Sequence, residues 1–215
     1  MGTQIAPYRC AVLGAGEILD YSRVASLIAP GAFIVCADGG LKHCGALNLR
    51  PGLIVGDFDS IAAPAPPDIP RIALPTDKDY TDSFYAASHA IEQGHSRLLL
   101  AGMLGGRLDH SLANLQLLAR LAGQGISAVL TDGVTDAYAL AGAGELIVPH
   151  RENCYFSVLV LESCDGVTIT GGKFSIENYT LRGDDPRAVS NEFACGDVRV
   201  RQKSGILVVI SQPIT

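Results

Sequence analysis

The run LIVGDFDSI, residues 53–61, closes an apolar stretch with acids on alternate positions, Asp57 and Asp59. Residues i and i+2 of an extended chain point the same way, so the two carboxylates are aimed together. At about 4 Å and an effective dielectric of about 20 they repel by roughly 4 kcal/mol, and a cation is expected beside them. The placement recurs: Asp38 follows FIVCA, Asp77, Asp79 and Asp82 follow RIALP, and Asp109 follows LLLAGMLGGR.

The elements that must position these acids can be read from the same rows. YRCAVLG, AFIVCAD, LIVGD, RIALP, RLLLAG and SAVLTD are strand candidates. Helices are expected between them at 19–28, 40–47, 81–92 and 109–121, the last with Leu112, Leu115, Leu118 and Leu121 at helical spacing. This alternation predicts an α/β fold, a mostly parallel sheet covered by helices. After Val134 the pattern changes to short strands split by Gly, Asp and Asn, with no helical window. A small antiparallel sandwich or barrel is expected there, giving an α/β catalytic domain over 1–142 and a β domain over 143–215. The Pro-rich IAAPAPPDIP reads as a stiff surface loop rather than a linker.

The acids thus stand just past the carboxyl ends of strands, the edge at which open α/β sheets bind ligands. Each has an ordinary alternative: Asp38 as turn chemistry, Asp59 as a helix cap, Asp79 or Thr81 as the cap of the helix near Asp82, and Asp109 or Ser111 as the next cap. Their convergence on one rim is the stronger signal. Hard oxygen ligands with no Cys/His cluster suit Mg²⁺, which takes a few carboxylates plus substrate phosphates. Gly39, Gly40, Gly105 and Gly106 let backbone amides approach phosphate, and Lys78 and Arg107 are placed to neutralise it. No G-x-x-x-x-G-K-[ST] loop is present, and GAGEIL at 14–19 lacks the third glycine of a dinucleotide fingerprint. A nucleotide-phosphate enzyme working through Asp and Mg²⁺ is the expectation.

Composition narrows the classes. Net charge is −6 with no basic run, which argues against nucleic acid as a partner. No apolar run reaches membrane-spanning length, and MGTQIAPYRC does not read as a signal peptide, so no membrane partner and a cytoplasmic location are expected. Six cysteines without a C-x-x-C pair, several in apolar runs, read as reduced core thiols rather than a zinc site.

Five blocks in order, ADGG (37–40), GDFDSI (56–61), KDYTDS (78–83), GGRLDH (105–110) and VSNEF (189–193), make the chain resemble bacterial-type thiamine pyrophosphokinases over nearly its whole length. The resemblance implies transfer of a pyrophosphoryl group from ATP to the hydroxyethyl oxygen of thiamine with release of AMP. It also implies a homodimer with thiamine at the subunit interface. By position, Asp57, Asp59 and Asp82 correspond to Mg²⁺-binding carboxylates, with Asp38 near the metal. Lys78, Asp79, Thr81 and Arg107 would line the phosphate path, Asp109 would be a substrate-side polar group, and Ser190 and Asn191 would meet the pyrimidine. Phe174 stands where the family often has Trp or Tyr. It could stack on a flat cation or simply pack in the β core.

Asp82 or Asp109 could accept the alcohol proton, and His110 could have a direct role or be a polar residue at a helix start. Rival readings are a pyrophosphokinase for another alcohol such as a hydroxymethylpterin, a metal-dependent phosphoesterase, and a nucleotide sensor without turnover.

Overall fold

The structure is a computed structural model that describes residues 6–57, 67–75, 77 and 79–214. Asp59 and Lys78 therefore lie outside the described residues. Contacts divide the chain into two compact units: Ala6–Leu117 with Ile126–Gly133, and Leu118–Gly125 with the chain from Val134 onward.

The first unit is built on strands β1 (Tyr8–Leu13), β2 (Ile28–Ala37), β3 (Leu53–Gly56), β4 (Arg71–Ala73), β5 (Arg97–Ala101) and β6 (Ser127–Thr131). They lie in the order β4-β3-β2-β1-β5-β6, and every pair is parallel. Near-continuous Val, Ile, Leu and Ala suit strands buried on both faces; Ala11–Leu13 and Leu98–Ala101 are fully buried. Leu13 pairs with Cys36 and Ala101, and Cys36 with Ile54. This register puts the residues after β1, β2, β3 and β5 along one edge.

Helices α1 (Tyr21–Ser26), α2 (Lys42–Ala46), α3 (Asp82–Glu92) and α4 (Leu108–Gly123) join the strands. Helix α1 is shorter than the sequence suggests, because Ile28 already pairs with Tyr8 at the start of β2. A 3-10 turn over Asp38–Leu41 replaces the expected first turn of α2. Thr81 caps α3, its side chain accepting from Phe84 N at 3.3 Å. The leucine stripe on α4 is half right: Leu118 and Leu121 are buried, but Leu112 is 51% exposed, and the buried face instead runs through Asn114, Leu117, Leu118 and Leu121.

In the second unit all described pairs between strands are antiparallel. The strands are β7 (Asp136–Ala141), β8 (Gly144–Val148), β9 (Cys154–Thr170), β10 (Ile176–Leu181), β11 (Asn191–Glu192), β12 (Val198–Gln202) and β13 (Ser204–Pro213). The turn expected at ESCDG does not form. CYFSVLVL and GVTIT run on as the single strand β9, whose first half pairs with β13 and whose second half pairs with β10 and β12. Gly166 at φ +66 and register shifts against β13 take up the irregularity. Strand β7 was not apparent in the sequence; DAYALA is short and Ala-rich. At its start Asp136, 1% exposed, pairs with Arg151 at 3.3 Å, and Arg151 also donates to Val134 O at 2.6 Å and Ser211 O at 3.2 Å.

The chain therefore has a mixed sheet and few helices, the coarse form of the expected class. Among the described residues no helix is long and apolar enough to cross a membrane.

All six cysteines are free, five of them buried and Cys195 exposed. Burial pushes the Cys10 thiol up to about 12 and raises Cys164 to about 11, which further suppresses the reactive thiolate. A bulky maleimide should label one thiol per native chain, at Cys195, and six after denaturation. Mass spectrometry of the labelled chain checks this, and rapid native labelling of Cys36 or Cys164 would contradict the packing.

Candidate active site

The carboxyl edge of the parallel sheet begins with Asp38. It has φ +46, and its Oδ1 is buried with no hydrogen-bond partner among the described residues. An unpaired buried carboxylate oxygen is costly, so the atom is suited to a ligand. The backbone around it is closely fitted. A Cβ on Gly40 would lie 1.9 Å from Leu13 O, and one on Gly56 would lie 3.0 Å from Asp38 Cα. The glycines of ADGG and GDFD thus let the ends of β1, β2 and β3 meet, with the chain at Gly56, just before Asp57, packed against Asp38. Asp82 opens α3 behind the Thr81 cap, where an acid suits the helix dipole. Asp79 is exposed.

Among the described residues no group of three or more His, Cys, Asp or Glu is placed to hold a metal ion. Mg²⁺ keeps waters and substrate oxygens in its shell and takes few protein carboxylates. The orphaned oxygen of Asp38 is a hard donor of the kind such an ion takes.

Farther along the edge lies a pocket of about 270 Å³, lined by Gly16, Gly102, Gly105, Gly106, Arg107 and Asn114 among others. Gly105 and Gly106 have φ of +76 and +65, and a Cβ on either would meet nothing within 4 Å. Their need for glycine is conformational rather than steric. Asn114 was missed in the sequence reading. It is buried on α4 and donates from Nδ2 to Met103 O at 2.8 Å, which anchors the loop. A polar residue on the apolar face of α4 was the available signal. His43, also missed, had no signal in its neighbours.

Arg107 and Asp109 form an exposed pair, with Nε to Oδ1 at 3.1 Å and Nη2 to Oδ2 at 2.5 Å. The hydrogen bonds from Arg107 hold the Asp109 carboxyl at about 2, well below its ordinary value. Asp109 Oδ1 also accepts from His110 N at 3.0 Å.

The β unit assembles a second cluster. Asn191, 6% exposed, accepts on Oδ1 from Phe174 N at 3.1 Å and from Glu192 N at 3.0 Å. Its Nδ2 donates to Phe174 O at 2.6 Å. Asn191 therefore has its amide engaged in holding the backbone of Phe174, whose ring is 63% exposed. That exposure removes the alternative that Phe174 packs in the core. Lys173 lies 5.8 Å from the ring centroid and pairs with Glu192 at 2.8 Å. Ser190 is exposed, has φ +57, and donates its N–H to Ser157 Oγ at 3.0 Å. The other non-glycine residues at positive φ are Asp38 and three asparagines among those described. Asn and Asp tolerate that region and Ser does so less readily, so Ser190 is the more strained.

Two family models match in tandem. "Thiamin pyrophosphokinase, catalytic domain" covers residues 24–130, and "Thiamin pyrophosphokinase, vitamin B1 binding domain" covers 145–207. The thiamine pyrophosphokinase of Bacillus subtilis (strain 168) is 30% identical over 162 residues, 72% of this chain and 75% of that protein. Among solved structures, a thiamin pyrophosphokinase from Geobacillus thermodenitrificans is 25% identical with a TM-score of 0.80, covering 96% of this chain and 98% of that one. One from Bacillus subtilis is 24% identical with a TM-score of 0.85, covering 96% and 99%, and shows the likeness of fold.

The close approach at Gly40 sets a test. Gly40→Ala should destabilise the chain by about 3 kcal/mol, because its Cβ meets backbone that cannot step aside. Gly39→Ala meets only the Ala15 Cβ at 3.2 Å and should cost much less. Equal urea midpoints for the two variants would contradict the packing at this edge.

Proposed function

The chain belongs to the thiamine pyrophosphokinase family, and on that premise we propose that it transfers the pyrophosphoryl group of ATP to the primary hydroxyl of thiamine, yielding thiamine diphosphate and AMP. The observation that carries the reading is the buried Oδ1 of Asp38, without a hydrogen-bond partner among the described residues, at the edge where Gly56 meets Asp38. A cation bound there would satisfy that oxygen.

In this reading Asp57, Asp59 and Asp82 hold Mg²⁺ with Asp38 at its side. A divalent ion held there would supply positive charge to offset that developing on the leaving AMP. The chain's own groups do the rest. Gly39, Gly40, Gly105 and Gly106 keep backbone amides open to phosphate. Lys78, Asp79, Thr81 and Arg107 line its path, Thr81 also serving as the cap of α3. Arg107 starts out paired with Asp109, so an incoming phosphate competes for the guanidinium and frees the carboxylate toward the substrate. Positioning of the alcohol in line with the β-phosphorus supplies much of the rate. Asp82 and Asp109 are the candidates to accept the alcohol proton.

We assign residues 1–142 to the catalytic function, and 143–215 to thiamine binding and dimerisation. Phe174 offers an exposed ring to a flat cation, Ser190 and Asn191 meet the pyrimidine, and Asn191 also holds the Phe174 backbone. The proposed assembly is a homodimer with thiamine at the subunit interface, in the cytoplasm.

Incubation with ATP, Mg²⁺ and thiamine should release AMP and thiamine diphosphate in equal amounts. A hydroxymethylpterin as the preferred acceptor, or phosphate release without transfer, would overturn the assignment. Asp82→Asn should lower kcat/KM by roughly a thousandfold with the fold intact. Ser190→Ala should raise the KM for thiamine by roughly tenfold at unchanged ATP affinity. Asp109→Asn should slow the reaction without moving the acid limb of the pH profile. The wild-type Asp109 carboxyl is already ionised above about 2, so its titration cannot shape activity between pH 5 and 8. A shifted limb in that variant would make Asp109 the base after all.

A further inference from the structure

We propose that His43 is a positioning residue for the glycine loops of the nucleotide site, a role that rests on the assignment of the Gly102–Gly106 pocket to ATP. His43 is on α2, 1% exposed, and touches none of the proposed reacting groups. Its Nε2 lies 2.9 Å from Gly16 O and its Nδ1 lies 2.7 Å from the Tyr21 hydroxyl. A carbonyl can only accept, so Nε2 carries the proton. Burial lowers the pKa of the ring and favours the neutral form. Nδ1 is then bare and accepts from Tyr21, which fixes the tautomer and the plane of the ring.

The ring reaches both walls of the pocket. Gly102, at φ +67, leaves no room for a Cβ, which would lie 2.7 Å from Gly14 O and 3.0 Å from His43 Nε2, so the loop after β5 packs against both the end of β1 and the imidazole. Gly16 N in turn donates to Gly102 O at 2.7 Å, and Gly14 N to Ala101 O at 2.8 Å. Lys42, the neighbour of His43, donates from Nζ to Ala15 O at 2.6 Å. Two consecutive residues of α2 thereby grip two consecutive carbonyls, at Ala15 and Gly16. In a trans peptide the N–H lies opposite the C=O, so a fixed Gly16 carbonyl fixes the Glu17 amide facing away from α2. Helix α2 follows the 3-10 turn Asp38–Leu41 without a break, so the same short segment carries Asp38 and sets the loops on which the nucleotide would rest.

The test uses the full chain and measures Mg·ATP binding by calorimetry alongside the KM for thiamine. His43→Leu should raise the Kd for Mg·ATP about tenfold, while the KM for thiamine stays within twofold. His43→Gln, whose amide nitrogen reaches near the position of Nε2 and can still donate to Gly16 O, should restore Kd to within threefold of wild type. In ¹⁵N NMR the wild-type ring should show a protonated Nε2 and a bare Nδ1. Should His43→Leu not fold, Tyr21→Phe decides: it should weaken Mg·ATP binding about threefold and move the Nδ1 resonance, with the proton kept on Nε2 by Gly16 O. The proposal is overturned if Gln is as damaging as Leu, if both substrates weaken together, or if Tyr21→Phe changes neither binding nor the Nδ1 resonance. Wild type that binds Mg·ATP but forms no AMP would sink the assigned function and leave the Kd ratios to judge His43. Wild type that binds no Mg·ATP would sink both.

Discussion

The constraint on which the site depends is the conformation of Asp38. Its backbone occupies the left-handed region, and one carboxylate oxygen is buried with no protein partner among the described residues. Each feature is unfavourable taken alone. They coincide where β2 ends, and the neighbours are cut to admit them: Gly40 against the backbone of β1, and Gly56 against Asp38 itself. Local strain that persists because the surroundings over-determine it is common at ligand sites. The parallel register then decides which residues share that edge, because four strands finish in step.

The β unit repeats the pattern in another chemistry. Ser190 takes the left-handed conformation, and Asn191 beside it uses both ends of its amide on backbone groups. The result is an exposed phenyl ring on a rigid mount. Affinity of such a ring for a flat cation depends on how little it must be ordered on binding. Lys173 Nζ stands over that ring at 5.8 Å while paired with Glu192 at 2.8 Å.

Much of this was legible in the residue order. Near-continuous apolar runs ending in acids gave the strands of the first unit and the edge at which they finish, and the five spaced blocks gave the family. The sequence could not show that ESCDG stays extended, because its turn-forming residues are overruled by partners on both halves of β9. It gave α4 a stripe through Leu112, which is exposed, and hid Asn114 on the true buried face. The bonds by which Asn191 holds the Phe174 backbone could not be read from spacing, because they link residues 17 apart. His43 was invisible for the same reason: its partners Tyr21 and Gly16 lie 22 and 27 residues away. Local spacing reports what a residue could do, while tertiary pairing decides what it is occupied with.

The central claim is the proposal that Asp57, Asp59 and Asp82, with Asp38 near them, hold one divalent cation together with a triphosphate. Anomalous scattering from a crystal grown with Mn²⁺ and a non-hydrolysable ATP analogue tests it most directly. The account predicts a peak between the analogue's phosphates and these carboxylates, within about 2.5 Å of at least two of them. A nucleotide bound with its manganese elsewhere, or Asp38 Oδ1 facing neither ion nor phosphate, would contradict it.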